Sequence, residues 1–222
     1  IRIKRAVARV GAGTISVTGS VPIHGTDLGT ATARITARDV KLPVAEGVQL
    51  TADADLEATL RPTSDDAEQR LPEVKGSVQL KSFSYTRPIE LAVNLGQLTS
   101  RTRTAVETYD PKNDVVRFDL SVTSPKPLRF ANNLVDMQLE VVDPGLVLSG
   151  TNQRYGARGQ LRILPQSKLR LRDHDFEVKE GTVRFEDPNR IAPRVDVRAS
   201  TEYRRGTSLT SAETTTAPTT GG

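Results

Sequence analysis

Two histidines and no cysteine occur among 222 residues, so few side chains are available to ligate a metal or run acid–base chemistry. His174 stands between Asp173 and Asp175, a trio that elsewhere makes a metal site or a proton relay, because a neighbouring carboxylate orients an imidazole. Here the three residues separate an apolar run that stops at Leu171 from one that restarts at Phe176, and turn placement accounts for them. His24 is followed by Gly25, and Asp27 to Gly29 is turn material as well. Asp65, Asp66 and Glu68 cluster between Arg61 and Pro72. Paired carboxylates can hold a divalent cation or exchange a proton, but no histidine or further ligand lies in register, and the stretch reads as an exposed loop. There is no phosphate-cradling glycine loop and no nucleophile motif. The reading assigns no catalytic residue, no cofactor and no metal, and the absence of cysteine removes both a disulfide framework and a thiolate site.

What the chain does contain is alternation. Leu161 and Ile163, Leu169 and Leu171, Phe176 and Val178, Val183 and Phe185, then Val195, Val197 and Ala199 recur at every second position, with charged or polar residues between them. A period of two between turn signals marks antiparallel strands that bury one face and wet the other. The same pattern runs upstream through Ile15 and Val17, Ala31 to Ala37, and the longest example, in which Val48, Leu50, Ala52, Ala54, Leu56, Ala58 and Leu60 alternate with polar residues. A helix over that Ala-rich piece would scatter its acidic residues around the axis with no coherent apolar stripe, so it is read as a strand. Ile1 to Val10 reads as a basic edge, Pro22 ends the second run, Val74, Val78 and Leu80 form another, and Ile89 to Leu95 a further one. Tyr109 to Asp114 is a turn, Val116, Phe118, Leu120 and Val122 form a strand, and Pro125 and Pro127 interrupt the chain after it. Gly13, Gly76, Gly159 and Gly181 each precede an alternating run, which suggests a meander whose strands begin at glycine kinks.

Hydrophobic residues make up 36% of the chain and aromatics 4%, with no Trp, which suits one modest buried surface better than a deeply layered core. The formal charge of +4 is spread as arginines at alternate strand positions, a solvated face rather than a nucleic-acid surface, and the aromatic platforms of single-strand binders are missing. No apolar run is long enough to cross a bilayer as a helix. The first residue is Ile1, and the chain is read as a piece of a longer protein whose anchor lies elsewhere. Residues 1–205 are taken as the β-domain and the Thr-, Ser-, Pro- and Gly-rich residues 206–222 as a disordered tail or linker.

The passage from Leu169 to Thr201 resembles the C-terminal domain of the TamB family, AsmA-like envelope proteins named for translocation and assembly. The matching positions are Phe176 and Val178, Gly181 to Phe185, Pro193, and Val195 to Thr201; Pro127 to Gly150 is similar at the level of pattern. The resemblance implies an all-β fold, an elongated antiparallel sheet curled into an open taco-shaped groove with an apolar interior. It implies a periplasmic, envelope-spanning protein anchored to the inner membrane, partnered by phospholipid acyl chains, by the membranes at its ends and by an outer-membrane barrel of the TamA or BamA type. The groove wall would comprise Val48, Leu50, Leu56, Leu60, Val116, Phe118, Leu120, Val122, Leu161, Ile163, Leu169, Leu171, Phe176, Val178, Val183, Phe185, Val195 and Val197. Where the family continues with further strands, this chain has its Thr-rich end.

Pattern alone favours a closed barrel or sandwich, in which the apolar face is simply a core; the family resemblance favours the open groove. Three functions stay open: passive lipid conduction in support of outer-membrane biogenesis, a scaffold for assembly or secretion of outer-membrane β-proteins, and a structural or adhesive surface protein. In a conduit, burial favours acyl tails by about 0.8 kcal/mol per methylene, so uniformity of the wall matters more than any one residue. A single Leu→Ala change in the wall is then expected to be mild, whereas Phe185→Asp or Leu120→Arg stops lipid flux; normal flux in a folded charge variant would remove the conduit.

Overall fold

In a computed structural model, residues 1–25, 27–42, 46–61, 71–88, 109–171 and 174–201 are described. They are all-β: β1 (Arg2–Val10), β2 (Gly13–Ser20), β3 (Ile23–His24), β4 (Asp27–Leu28), β5 (Ala31–Leu42), β6 (Val48–Leu60), β7 (Glu73–Tyr85), β8 (Arg117–Thr123), β9 (Leu128–Ala131), β10 (Val135–Val141), β11 (Leu146–Thr151), β12 (Tyr155–Ile163), β13 (Lys168–Leu171), β14 (His174–Phe185) and β15 (Pro193–Ser200). Thirteen of these strands form one sheet, and β3 with β4 makes a minor hairpin over the predicted His24–Gly29 turn. The YDPKND turn is a single 3-10 turn at Pro111–Asn113, closed by the Asp110 carboxylate accepting from the Lys112 N–H at 3.0 Å. The expected strand from Ile89 to Leu95, the Asp65, Asp66 and Glu68 cluster, and the 206–222 tail lie outside the described residues.

The sheet is mostly antiparallel, as the alternation and the family resemblance led one to expect, and has one parallel step. β7 pairs in parallel with β8 and, further along, with β9. The chain leaves β7 at Tyr85 and re-enters the sheet at Arg117 running in the same direction, a crossover of the length that parallel pairing requires. At the ends of the order, β1 pairs only with β2 and β15 only with β14. Among the described residues, β1 and β15 pair with no further strand and not with each other.

A line of backbone irregularities crosses the sheet from β5 to β14. Registers slip between Ala37 and Val40 in β5, at Lys81 in β7 and at Lys179 in β14. Between them, β8 and β9 are separated at Pro125 and Pro127, β10 and β11 at Pro144, and β12 and β13 at Pro165. Both non-glycine residues with positive φ among those described, Asp39 at 52° and Gln166 at 70°, sit on this line. Hydrogen bonds join its members: the Ser124 hydroxyl donates to Leu80 O at 3.0 Å, the Leu164 N–H to Gln138 O at 2.8 Å, and the Val178 N–H to Ser167 O at 2.8 Å. One extra residue in a strand bends it and reverses which face later side chains occupy. The apolar pattern reverses with it, from Ile35 and Ala37 to Val40 and Leu42, from Val78 and Leu80 to Phe83 and Tyr85, and from Phe176 and Val178 to Val183 and Phe185. The apolar residues thus stay on one side of a creased sheet. The two runs read separately as Phe176–Val178 and Val183–Phe185 are one strand, β14, bulged at Lys179.

The glycine rule also needs correcting. Gly13 does open β2, but Gly76, Gly159 and Gly181 lie inside β7, β12 and β14. Gly76 has φ +146° and faces Leu56, and a Cβ there would overlap the Asp55 carbonyl oxygen; close strand approach, not strand initiation, is what requires glycine. Replacing Gly76 by Ala is expected to destabilise the chain by about 2 kcal/mol or more, a fall of roughly 4–8 °C in Tm for this size. An unchanged melting curve would show that β6 and β7 do not approach this closely.

Candidate functional site

The two faces of the sheet carry its chemistry, and register shows how each is built. Directly opposed residues share a face. One cross-strand row runs Ile3, Gly19, Ala33, Ala58, Val74, Phe118; the next runs Ala6, Val17, Ile35, Leu56, Gly76, Leu120, Leu148, Ala157. A third runs Ala8, Ile15, Ala37, Ala54, Val78, Val122, Leu146. Beyond the crease the same face continues through Leu42, Leu50 and Phe83, and through Val48, Tyr85, Phe130 and Met137. Every position in these rows is apolar, glycine or tyrosine.

The opposite face is charged and ordered by the same register. Arg34, Glu57, Lys75 and Asp119 oppose one another in alternating sign across β5, β6, β7 and β8, whereas Arg184 and Arg194 oppose each other across β14 and β15. At the crease the Lys81 ammonium bridges Asp39 at 2.6 Å and Asp53 at 3.1 Å, while the Asp39 N–H donates to the Asp53 carboxylate at 2.7 Å. Arg38 grips Asp55 with two bonds of 2.9 and 3.0 Å. These contacts staple the charged face at the crease over three strands.

Burial is greatest where the crease brings the apolar face together. Ala52, Leu80, Leu128, Met137, Leu139, Leu161, Ile163, Val178 and Val183 form one buried cluster, with Val178 only 1% exposed. Phe83 and Tyr85 stack on Phe130 at 5.2 and 5.9 Å between centroids. Of the predicted wall residues, Leu161, Ile163, Val178 and Val183 are in this cluster, and Leu50, Val122, Leu169, Phe185 and Val197 pack against it. Val48, Leu56, Val116, Phe118, Leu120 and Phe176 are half-buried, Leu60 is 37% exposed at a strand end, and Val195 is 58% exposed in β15, the last strand of the order. Nothing is described of the Leu171 side chain. At a buried position such as Leu161, truncation to Ala leaves a cavity and is expected to cost about 2–5 kcal/mol of stability.

The predicted wall left out Ala52, Leu80, Leu128, Met137 and Leu139, which complete the cluster, and sequence reading missed the crease itself. The signal was present as the reversals of alternation at Asp39, Lys81 and Lys179. It also missed Asp114, a buried carboxylate that accepts from the Tyr109 and Thr151 hydroxyls, each at 2.7 Å, and so ties the turn before β8 to the end of β11. His174 and Asp175 are exposed at the start of β14, with Arg170 beside Asp175 at 3.7 Å, and Asp173 lies outside the described residues. Among the described residues no group of three His, Cys, Asp or Glu side chains is placed to hold a metal.

A single creased sheet with one apolar and one charged face defines an all-β domain whose extensive surfaces are its faces. The family model of the TamB C-terminal domain matches residues 4–220, and the chain belongs to that family. No curated protein and no solved structure matches it. The family is a non-enzymatic transport and assembly module of the cell envelope, associated with the outer-membrane partner TamA. No described helix is long and apolar enough to cross a membrane.

The staple has a pH signature. The Asp39 N–H, then the Lys81 ammonium, hold the Asp53 carboxyl below its usual 3.8, and the bonds to Asp39 and Asp53 raise Lys81 above 10.5. A depressed acid contributes above its unfolded value and is lost as pH falls through the folded one; a raised amine contributes below its unfolded value and is lost as pH climbs through the folded one. The staple is therefore intact across the neutral range and opens only at the two extremes. Lys81→Met should move the Asp53 titration, followed by NMR, up toward 3.8; an unmoved midpoint would mean that Lys81 does not hold it.

Proposed function

We propose that this chain is part of an envelope-spanning TamB-type protein that conducts phospholipids between inner and outer membrane, with acyl chains lying on the apolar face and headgroups at the wet opening. The observation that carries the reading is the register: unbroken apolar rows cross up to eight strands of one sheet, whose first and last strands are not paired with each other among the described residues. Partitioning drives occupancy at about 0.8 kcal/mol per buried methylene, and no catalytic step is involved. The wall proposed is the predicted set, with Ile35, Ala33 and Ala58 added from the rows. Residues 1–205 form the conducting domain and 206–222 a linker; an inner-membrane anchor outside this chain and an outer-membrane barrel of the TamA or BamA type would complete the path.

The assembly-scaffold reading would use the first and last strands of the order. β1 carries Lys4, Arg5 and Arg9, and β15 carries Arg194 and Arg198, charges of the kind that discourage strand addition. The face, not the edge, therefore favours the lipid reading.

A leucine-sized diazirine residue at Leu56, on the apolar face, should capture phospholipid in the cell envelope, whereas the same residue at Glu57, on the charged face, should capture none. Leu120→Arg, in the same row, should abolish lipid capture at position 56 in a folded chain. Lipid at neither position would move the function to the scaffold or the surface protein.

A further inference from the structure

The apolar face is not uniform along the sheet. All five Phe and four Tyr of the chain lie at Phe83 or beyond, so β1 to β6 contain no aromatic side chain. Their rows are built largely from Ala6, Ala8, Ala33, Ala37, Ala54 and Ala58, with Gly19. In β5, β6 and β7 only the residues on the crease, Val40, Ala52 and Leu80, are fully buried. In β10, β12 and β14 several residues of each strand are buried, among them Met137 and Leu139, Leu161 and Ile163, and Val178 and Val183. The small side chains leave a hollow of about 260 Å³, lined by Ile3, Val17, Ala33, Ala58, Leu60 and Pro72 among others, with no charged side chain in its wall.

We infer that the trough is graded, with a single acyl chain seated in the small-residue half at β1 to β6 and stopped where β9 to β14 fill the face with their own side chains. This rests on the lipid-conduction reading and narrows its wall: Leu161, Ile163, Leu169, Val178 and Val183 end the lipid path instead of lining it. The occupant is set by the wall. Apart from the Ile1 ammonium, which already donates to Val21 O at 2.8 Å, the apolar side chains and few hydroxyls offer a charged or strongly polar ligand little to replace its water, and the space falls below the roughly 300–1,000 Å³ that encloses a drug-sized molecule. It takes part of one acyl chain rather than a whole two-chain lipid. On the filled side the clustered leucines and the Phe83, Phe130 and Tyr85 stack already satisfy each other at close packing, and an acyl chain could enter only by displacing them.

The test places the diazirine residue at Leu60, on the rim of the hollow, and at Leu169, packed against the buried cluster, in the chain mixed with vesicles of phosphatidylethanolamine and phosphatidylglycerol. Capture at Leu56 and Leu60 with none at Leu169 is expected, and Ala33→Leu combined with Ala58→Leu should remove capture at Leu60 while the chain melts as before. Lipid at Leu56 and equally at Leu169 would overturn the graded trough and leave the lipid reading standing. No lipid at Leu56 or Leu60 would remove both. Capture of protein instead of lipid at Leu60 would overturn the acyl occupant.

Discussion

The structure depends on a parity constraint. In a strand every second side chain faces the same way, so a bend made by inserting one residue turns all later side chains over unless the sequence changes phase at the same place. This chain changes phase at Asp39, Lys81 and Lys179, and it breaks its other long strands at Pro125, Pro127, Pro144 and Pro165. The result is a crease that runs across the sheet without mixing its faces. The apolar cluster forms along this line on one face, and the Asp39, Lys81 and Asp53 network lies along it on the charged face. Hydrophobic burial and charge pairing thus act on the same backbone line from opposite sides.

That arrangement explains how a chain with little aromatic content and no disulfide makes an extended sheet. Burial is concentrated at the bend, where two parts of one face meet, and away from it the same face is only half-covered. The charged face is organised by direct cross-strand opposition, as in Arg34, Glu57, Lys75 and Asp119. Exposed pairs of this kind add little stability singly, but like charges in register would cost, so alternation of sign helps to fix which residue faces which. β1 and β15, the first and last strands of the described order, carry basic residues. A sheet built this way presents a long apolar surface while discouraging pairing at its ends.

The sequence by itself determined the all-β class, the strand positions and the side of each strand on which its apolar residues lie, because a period of two is a local property of consecutive residues. It also carried the likeness to the TamB C-terminal domain, which the match over residues 4–220 bears out. Its reading failed where the answer depends on another strand. Gly76 looks like the start of a run and is instead the point where β7 passes over Asp55; Phe176 to Phe185 looks like two strands and is one; β7 and β8 run parallel. Tertiary structure alone decided which equivalent-looking aliphatics are buried. Val178 and Val195 share one alternating pattern but differ from 1% to 58% exposure, because one lies in the crease and the other in the last strand of the order. Burial is set by what the opposite part of the sheet brings into contact, and alternation along one strand does not record that.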